Sequence, residues 1–408
     1  MDIIHLVEGN SYQLNETELP LFKKYLSQNT QIPARIINNN LVFDDYTIGS
    51  ITVAKTSIII DPRITGLTTN DYFEMQLYAE GIVSDSITAL LKQTTNYGLQ
   101  ENLVSLFIDC LQKLVKKGLD GSFYQKIEYS NTIHGRIVVD KIDPVHLAQD
   151  QLPIEYTLHT LETADNKLIK LALNKCRSLI DSNDLHQQFA QVAAYFENIQ
   201  VTPQEENTIQ QQIKLEHTSH MNTEYDLAIE LSLKILKDIK LNMQGSHVLG
   251  TSFLVNSNDI FEKYCRAVLH NGLTANVIKW ETPHATAKFI IDNVPYIKSY
   301  VPDILINYNQ AHNTTYALLD AKNKDISDHH KIGHLADLYQ VVYYCQSLHT
   351  NMGGLVYPTK KEIKPTKIFL NNFADINFYA FFVNFALPLK QRNLQLCQEV
   401  SEKFLLIW

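Results

Sequence analysis

The sequence predicts an α+β multidomain protein, with a β-rich N-terminal domain, a helical connector and a C-terminal α/β domain built on a mixed central sheet. Three observations predict this organisation. The 408 residues exceed the length of one ordinary domain. Near residue 96 the pattern changes from short β-branched runs to helical spacing, and near residue 249 strands and helices begin to alternate. We therefore expect domains at 1–95, 96–248 and 249–408.

Short apolar and β-branched runs, separated by Asp, Gly and Pro, predict strands in the first domain. These runs lie at 41–43, 47–53 and 56–60. In the connector, apolar residues recur at the spacing of amphipathic helices. The predicted connector helices lie at 103–115, 167–180, 185–199 and 225–239.

The C-terminal domain is predicted to hold one sheet with helices on its faces. Its helices are predicted at 259–270, 330–348 and 390–406, and its strands near 276–280, 296–307, 315–321, 353–357 and 367–385. Because helices and strands alternate, the strands would share a central sheet that the helices cover.

Composition is typical of a globular protein that does not cross a membrane. Hydrophobic residues make up 45% of the chain and charged residues 19%. The richest apolar stretch, 373–387, is interrupted by Asp375, Asn377 and Asn384, so we expect no membrane span. The first residues lack the basic and apolar regions of a signal peptide. The five scattered cysteines have no metal-ligand spacing, which favours reduced thiols and a cytoplasmic protein.

The segment most specific for chemistry is a predicted β-hairpin that carries two carboxylates and one ammonium group. Asp303 follows a Val-Pro pair, and Asp320 and Lys322 come at the end of the apolar strand 316–319. An acidic residue two positions before a lysine occurs four times, but only this copy ends an apolar strand. A buried carboxylate there is costly unless it is paired or bound to a metal. Period-two alternation also places Asp320 and Lys322 on one face.

The residue types in this hairpin suit phosphodiester hydrolysis. Asp303, Asp320 and the carbonyl group of Ala321 offer hard oxygen ligands for Mg²⁺, with Mn²⁺ as an alternative ion. Such a metal polarises a phosphate and lowers the pKa of its bound water. Lys322 could orient that water and stabilise charge that develops on the phosphate. The alternative is an exposed Asp-Lys pair on an edge strand, with Asp303 as a turn residue.

Two neighbouring helices carry further candidates. Glu262 lies on the predicted helix 259–270 and is either a metal or water ligand or, with Asp259, part of a capping box. Gln340 and Tyr344 share one face of the second helix and could contact phosphate or the metal-bound carboxylates. For Tyr344, packing in the core is the alternative that we favour.

The charge distribution predicts weak DNA binding by the chain alone. The net charge is −9, but from Thr251 onward 15 Lys and Arg residues face 13 Asp and Glu residues, which leaves −11 for the preceding part. Only the C-terminal part suits contact with phosphates. The lysine-rich segment 360–367 is either an exposed loop or a DNA-backbone contact. We therefore expect a partner that supplies DNA binding.

The order Glu262, Pro302-Asp303, Asp320-Ala-Lys322 and Gln340 resembles the PD-(D/E)XK nuclease superfamily. Nearly the whole chain resembles McrC-type proteins, the nuclease subunits of McrBC restriction systems. The segments that carry this resemblance are 58–64, the helix ending at Gly118 with Tyr124 after it, 134–137, 165–170, 259–262 and 337–340. One departure is Arg63, where the family often has lysine.

The resemblance implies a restriction-endonuclease-like C-terminal domain in which Asp303, Asp320 and Lys322 are catalytic. It also implies a hexameric AAA+ GTPase partner that recognises modified double-stranded DNA, and whose hydrolysis this subunit stimulates. The acidic N-terminal two-thirds would suit docking on that partner, with 1–95 as the docking domain and 96–248 as the connector.

Three functions fit these observations. The leading hypothesis is a Mg²⁺-dependent endonuclease subunit that defends against foreign DNA. The second is a non-cleaving subunit that activates the nucleotide hydrolysis of its partner, which the intact acid-acid-lysine set argues against. The third is a stand-alone DNA repair nuclease, which the charge distribution argues against.

Overall fold

The computed structural model of the chain describes residues 2–82, 99–180, 182–202, 204–205, 208–209, 223–244, 247–278, 284–291 and 294–406. The chain forms two compact units, Met1–Leu99 with Lys240–Trp408, and Gln100–Ile239. The three functional domains expected from the sequence stay a prediction, because compactness alone does not assign docking or catalysis to a segment.

Within residues 2–82, the first unit begins with six strands and two helices. Its strands are β1 (Asp2–Val7), β2 (Tyr12–Gln13), β3 (Ala34–Ile37), β4 (Asn40–Phe43), β5 (Thr47–Val53) and β6 (Thr56–Asp61), and its helices are α1 (Glu18–Gln28) and α2 (Thr69–Ala79). The Thr68 side chain and the carboxylate of Asp71 form a capping box at the start of α2.

The second unit combines helices with a small sheet. Its elements are α3 (Leu99–Lys117), β7 (Ser122–Ser130), β8 (Arg136–Ile137), α4 (Pro144–Leu147), β9 (Leu152–Thr160), α5 (Ala164–Cys176), α6 (Asn183–Ala193) and α7 (Thr223–Asp238). The sheet has the order β7-β9-β8 and was not predicted from the sequence. The helices confirm the helical character of this part of the chain.

The first unit continues from residue 240 with the elements that hold the candidate site. They are β10 (Lys240–Gln244), β11 (His247–Asn256), α8 (Ser257–Gly272), β12 (Val277–Ile278), β13 (His284–Ile291), β14 (Val294–Tyr300), β15 (Ile304–Ile306), β16 (Ala317–Ala321), α9 (Leu335–Ser347), β17 (Met352–Thr359), β18 (Thr366–Ile368), β19 (Asn377–Asn384) and α10 (Leu389–Phe404).

The N-terminal sheet joins strands from the first 61 residues with two strands from the middle of the chain. Its order is β1-β6-β5-β11-β10, and β11 pairs antiparallel with β5 so that Asn256 lies opposite Thr47. Phe22 and Tyr25 of α1 pack against the apolar residues of this sheet. The pairing of β5 with β11 explains why the first 99 residues join the C-terminal part in one compact unit.

The C-terminal sheet is mixed, which confirms the predicted fold class. Its order is β12-β15-β16-β17-β19-β18; β16, β17 and β19 run parallel, and the other neighbouring pairs are antiparallel. Leu319 and Ala321 of β16 face the core that holds α8 and α10. Leu318 faces the opposite core, which holds α9. This alternation directs Asp320 and Lys322 towards α9.

Two predicted strands are interrupted in the structure. The strand expected at 296–307 is divided into β14 and β15 by residues 301–303, where Pro302 lacks the N–H group that a strand ladder needs. The strand expected at 367–385 is divided into β18 and β19. The strand expected at 276–280 is described only as β12, since residues 279 and 280 lie outside the described part of the chain.

Within the described ranges, no helix has the length and apolar character required to span a membrane.

Candidate active site

The antiparallel pairing of β15 with β16 brings the two predicted carboxylates together. Ile304 lies opposite Leu319, so Asp303, just before β15, lies beside the end of β16 that carries Asp320. The backbone N–H of Ala321 donates a hydrogen bond of 2.9 Å to Oδ2 of Asp303. This bond fixes the Asp303 carboxylate against the strand that holds the second one.

Lys322 lies beside Asp320 and is oriented by helix α9. Its Nζ forms an ion pair with Oδ2 of Asp320 and donates a hydrogen bond of 2.8 Å to Oε1 of Gln340. Nε2 of Gln340 in turn donates to the hydroxyl group of Tyr344, also at 2.8 Å. Tyr344 is buried in the core on this side of the sheet, as the favoured alternative predicted, and its hydroxyl group orients Gln340.

The strand that carries the acid-lysine pair is central in its sheet. β16 lies between β15 and β17, and Asp320 is only 1% exposed. The alternative of an exposed pair on an edge strand is therefore wrong. The sequence of β16 explains the placement, because four of its five residues are apolar and are buried on both faces of the sheet.

Burial gives both carboxyl groups an unusual proton affinity. Burial raises the pKa of Asp303 well above its usual range, and the negative charges of Asp320 and Glu262 raise it further. Burial also raises the pKa of Asp320, although Lys322 opposes this shift. The pKa of Lys322 is raised because the carboxylates outweigh the opposing effect of burial. Two carboxyl groups that are buried this deeply and lie this close together require a nearby positive charge before both can ionise.

The residues present fit a divalent cation with hard oxygen ligands. A cleft of about 350 Å³ opens at this end of the sheet. It is lined by Tyr46, Asn258, Asp303, Asp320, Ala321, Lys322, Asn323, Lys324, Asp337 and Gln340. In the described part of the chain, no three His, Cys, Asp or Glu side chains form a metal-binding group. A pair of carboxylates still suits Mg²⁺, which retains waters and binds substrate phosphates.

Glu262 has a different environment from the one that a capping box requires. Helix α8 begins at Ser257, and the side chain of Asn256 caps it by accepting from the N–H groups of Asn258 and Asp259. The capping-box alternative for Glu262 is therefore wrong. Oε1 of Glu262 lies 3.5 Å from Nη1 of Arg266. The negative charge of Glu262 raises the pKa of Asp303. The Glu262 side chain does not line the cleft, so its role as a metal ligand stays a prediction.

The structure adds cleft residues that sequence reasoning missed. Lys324 makes contacts of 2.7 Å with both carboxylate oxygens of Asp337. The buried Asn323 accepts a hydrogen bond of 2.6 Å from the hydroxyl group of Tyr72 and donates one of 2.9 Å to Oγ of Ser257. Asp337 lies one helical turn before Gln340, so helical spacing could have indicated it. No local signal indicates Tyr72, because its contact depends on the fold.

A family model also matches this chain. The family model described as McrBC 5-methylcytosine restriction system component matches residues 44–358, more than three-quarters of the chain. The chain belongs to the McrBC family. This match, together with the shared fold described next, confirms the McrC-type resemblance seen in the sequence.

Solved structures of the McrBC family share the fold of this chain. The chain is similar to one in a refined half-complex from a tetradecameric assembly of Thermococcus gammatolerans McrB AAA+ hexamers with bound McrC. The TM-score is 0.71 at 13% sequence identity, over 98% of this chain and 99% of that chain. A second chain, from a cryo-EM structure of the T. gammatolerans McrBC complex, gives 0.51 at 14% identity over 66% and 88%. A search of curated proteins finds no match.

Proposed function

We propose that this McrBC-family chain is the endonuclease subunit of its complex and hydrolyses DNA phosphodiesters with Mg²⁺ or Mn²⁺. The observation that carries this proposal is the convergence of Asp303, Asp320 and Lys322 at one end of the central sheet, in a cleft open to solvent. Two buried carboxylates beside an ordered lysine make a poor structural core and a good site for a metal and a phosphate.

The side chains have separable roles in the proposed reaction. Asp303 and Asp320 would hold the metal ion, which supplies Lewis-acid chemistry and a water of lowered pKa when bound. The Ala321 N–H group keeps the Asp303 carboxylate in place. Lys322 stays protonated, since its pKa is raised, and it can stabilise negative charge on the phosphate. Gln340 holds the Lys322 ammonium group towards the cleft.

A hexameric AAA+ GTPase is the proposed partner. Supporting this, the similar solved structure is titled as McrB AAA+ hexamers with bound McrC. The segment before Thr251 carries a net charge of −11, so the chain alone should bind DNA weakly. The second unit exposes large apolar side chains of the kind that a partner covers. They include Phe123, Ile133, Val139 and Val145.

Reconstitution tests this function. We expect the chain, together with an AAA+ partner, GTP and Mg²⁺, to linearise a plasmid that carries 5-methylcytosine, and to stimulate GTP hydrolysis. The isolated chain should leave the plasmid intact at physiological salt, because it lacks a strong DNA-binding surface. Gel electrophoresis and phosphate release measure the two activities.

The alternatives give different results in the same assay. Stimulated nucleotide hydrolysis, with every methylated and unmethylated DNA left intact in Mg²⁺ and in Mn²⁺, would identify a non-cleaving activator. Efficient cutting by the chain alone would identify a stand-alone nuclease.

A further inference from the structure

A tyrosine that lines the cleft, Tyr46, packs against Arg63, and the proposed reaction uses neither side chain. Tyr46, in the turn between β4 and β5, lines the cleft beside Asn258. The guanidinium carbon of Arg63, just after β6, lies 4.4 Å from the centre of the Tyr46 ring, a cation–π contact. These two residues are called the Tyr46–Arg63 pair. They are about 250 positions away in sequence from the hairpin that carries Asp303 and Asp320. Tyr46 lines the cleft, and Arg63 packs against Tyr46.

The backbone holds Tyr46 in an uncommon conformation. Its φ of 63° lies in the left-handed region, which aromatic residues rarely adopt. Its carbonyl group accepts a hydrogen bond of 2.7 Å from the N–H of Ser257, the first residue of α8. Such outliers persist where surrounding contacts enforce them and are frequent at ligand sites. This bond ties the backbone of Tyr46 to the helix that follows β11.

A buried carboxylate anchors the Arg63 side chain. Glu8 has no exposed side-chain surface, and its Oε1 lies 3.6 Å from Nε of Arg63. Oε2 of Glu8 also accepts from the backbone N–H of Arg63, and Oε1 accepts from the hydroxyl group of Ser257. The Arg63 side chain nevertheless remains 39% exposed. Glu8 thus contacts the guanidinium group of Arg63 at Nε, while part of the Arg63 side chain stays accessible to solvent.

The two lysines that line the cleft make closer contacts with carboxylates than Arg63 does. Lys322 is bound to Asp320 and Gln340, and Lys324 contacts both oxygens of Asp337. Arg63 makes a longer contact with its carboxylate through a single nitrogen. A guanidinium group carries five N–H donors in a planar fork, so most of its capacity to bind an anion remains.

We propose that the Tyr46–Arg63 pair binds a backbone phosphate of DNA next to the phosphodiester that is cut. The proposal rests on the nuclease function proposed above and identifies how that site holds its substrate. Asp303 and Asp320 repel the phosphates that flank the scissile one, so a fixed cation beyond the metal site favours a single register of the strand. Arginine suits this task because it is always charged and can bind phosphate through two parallel hydrogen bonds.

Substrate dependence of cleavage by the assembled complex tests the pair. Arg63→Gln is expected to raise the DNA concentration at half-maximal rate about tenfold, as for a lost hydrogen bond to a charged group, with little change in kcat. The slope of log affinity against log salt should fall by about 1. Arg63→Lys should recover part of the loss, and Tyr46→Phe should resemble the wild type. Tyr46→Asn, which tolerates the left-handed backbone, should weaken DNA binding.

Two control variants separate phosphate binding from a structural role. Lys23→Gln removes a positive charge from an exposed position of α1 that does not line the cleft, and it should leave both readouts unchanged. Arg63→Gln leaves Glu8 buried without its cation, so the double variant Glu8→Gln/Arg63→Gln removes that defect. If the double variant regains wild-type DNA affinity and salt slope, Arg63 only neutralises Glu8 and the proposal is overturned.

Photo-crosslinking distinguishes this proposal from the nuclease assignment. A benzophenone amino acid at position 46 is expected to crosslink to a 5-methylcytosine duplex in the assembled complex, and one at the exposed Tyr195 serves as the control. Crosslinks without any cleavage by the wild-type complex would refute the nuclease function and keep the DNA contact. No crosslink at position 46 in a complex that cuts DNA would refute the contact alone.

Discussion

Replacing Asp320 or Lys322 with alanine is expected to reduce DNA cleavage by the assembled complex by a factor of about a thousand or more. Asp320 is the more deeply buried of the two carboxylates and forms the ion pair with Lys322. Its removal would eliminate a metal ligand and also release the lysine. Plasmid linearisation measures the loss, and GTP hydrolysis by the partner should persist because that activity does not use this cleft.

The sequence supplies a matched control for these variants. Glu362 and Lys364 have the same acid-x-lysine spacing, but they lie in an exposed segment between β17 and β18. Glu362→Ala should therefore cleave DNA at nearly the wild-type rate. Loss of both cleavage and GTPase stimulation in Asp320→Ala would indicate a folding defect. In that case the isosteric variant Asp320→Asn tests the assigned role. Full cleavage by Asp320→Asn would contradict the assigned role.

Replacing Arg392 with leucine is expected to lower the free energy of unfolding by about 3–5 kcal/mol, because it leaves a buried carboxylate without its cation. Nη2 of Arg392 on α10 lies 2.5 Å from Oε2 of Glu74 on α2, and its Nε donates a hydrogen bond of 2.9 Å to the hydroxyl group of Tyr264 on α8. The guanidinium carbon also lies 4.5 Å from the centre of the Phe385 ring. This arginine therefore connects α10 with α2 and α8. Urea denaturation followed by circular dichroism measures the change.

The double variant Glu74→Leu/Arg392→Leu should recover most of this lost stability, since it removes the unpaired charge. An exposed pair provides the comparison. Arg35 and Asp44 are 3.2 Å apart with more than half of each side chain exposed. Arg35→Leu should therefore stay within about 1 kcal/mol of the wild type. Equal effects of Arg35→Leu and Arg392→Leu would show that burial does not strengthen the Arg392 contact.

The hairpin that carries the candidate site could be predicted because its signals are local. An apolar strand that ends in a carboxylate indicates buried charge, and period-two alternation places Lys322 on the same face as Asp320. Gln340 was predicted only from its position on a helix face, and the structure shows that it accepts a hydrogen bond from Lys322. In contrast, Tyr46 lies at the cleft because β5, which follows it, pairs with β11, about 200 residues later in the chain. Arg63 packs against Tyr46. No sequence pattern indicates such a register.

The small sheet of the second unit shows a different limit of sequence reasoning. Most residues of β7 are exposed, although they pair regularly with β9. Strand prediction relies on one buried face, and apolar side chains such as Phe123 and Ile127 point into solvent here. The pattern was therefore weak. The interruption at Pro302 had a stronger signal, since proline cannot donate in a strand ladder.

Titration of Mn²⁺ into the isolated chain, followed by electron paramagnetic resonance, tests the metal site most directly. We expect the wild type to bind Mn²⁺ and both Asp303→Asn and Asp320→Asn to lose that binding. Burial raises the pKa of both carboxyl groups, so at pH values below the raised pKa values the ion must displace a proton. Affinity should accordingly increase with pH, by up to about tenfold per unit below the raised pKa values, for one released proton. Equal Mn²⁺ binding by the wild type and Asp320→Asn at every pH would contradict a metal site at these carboxylates.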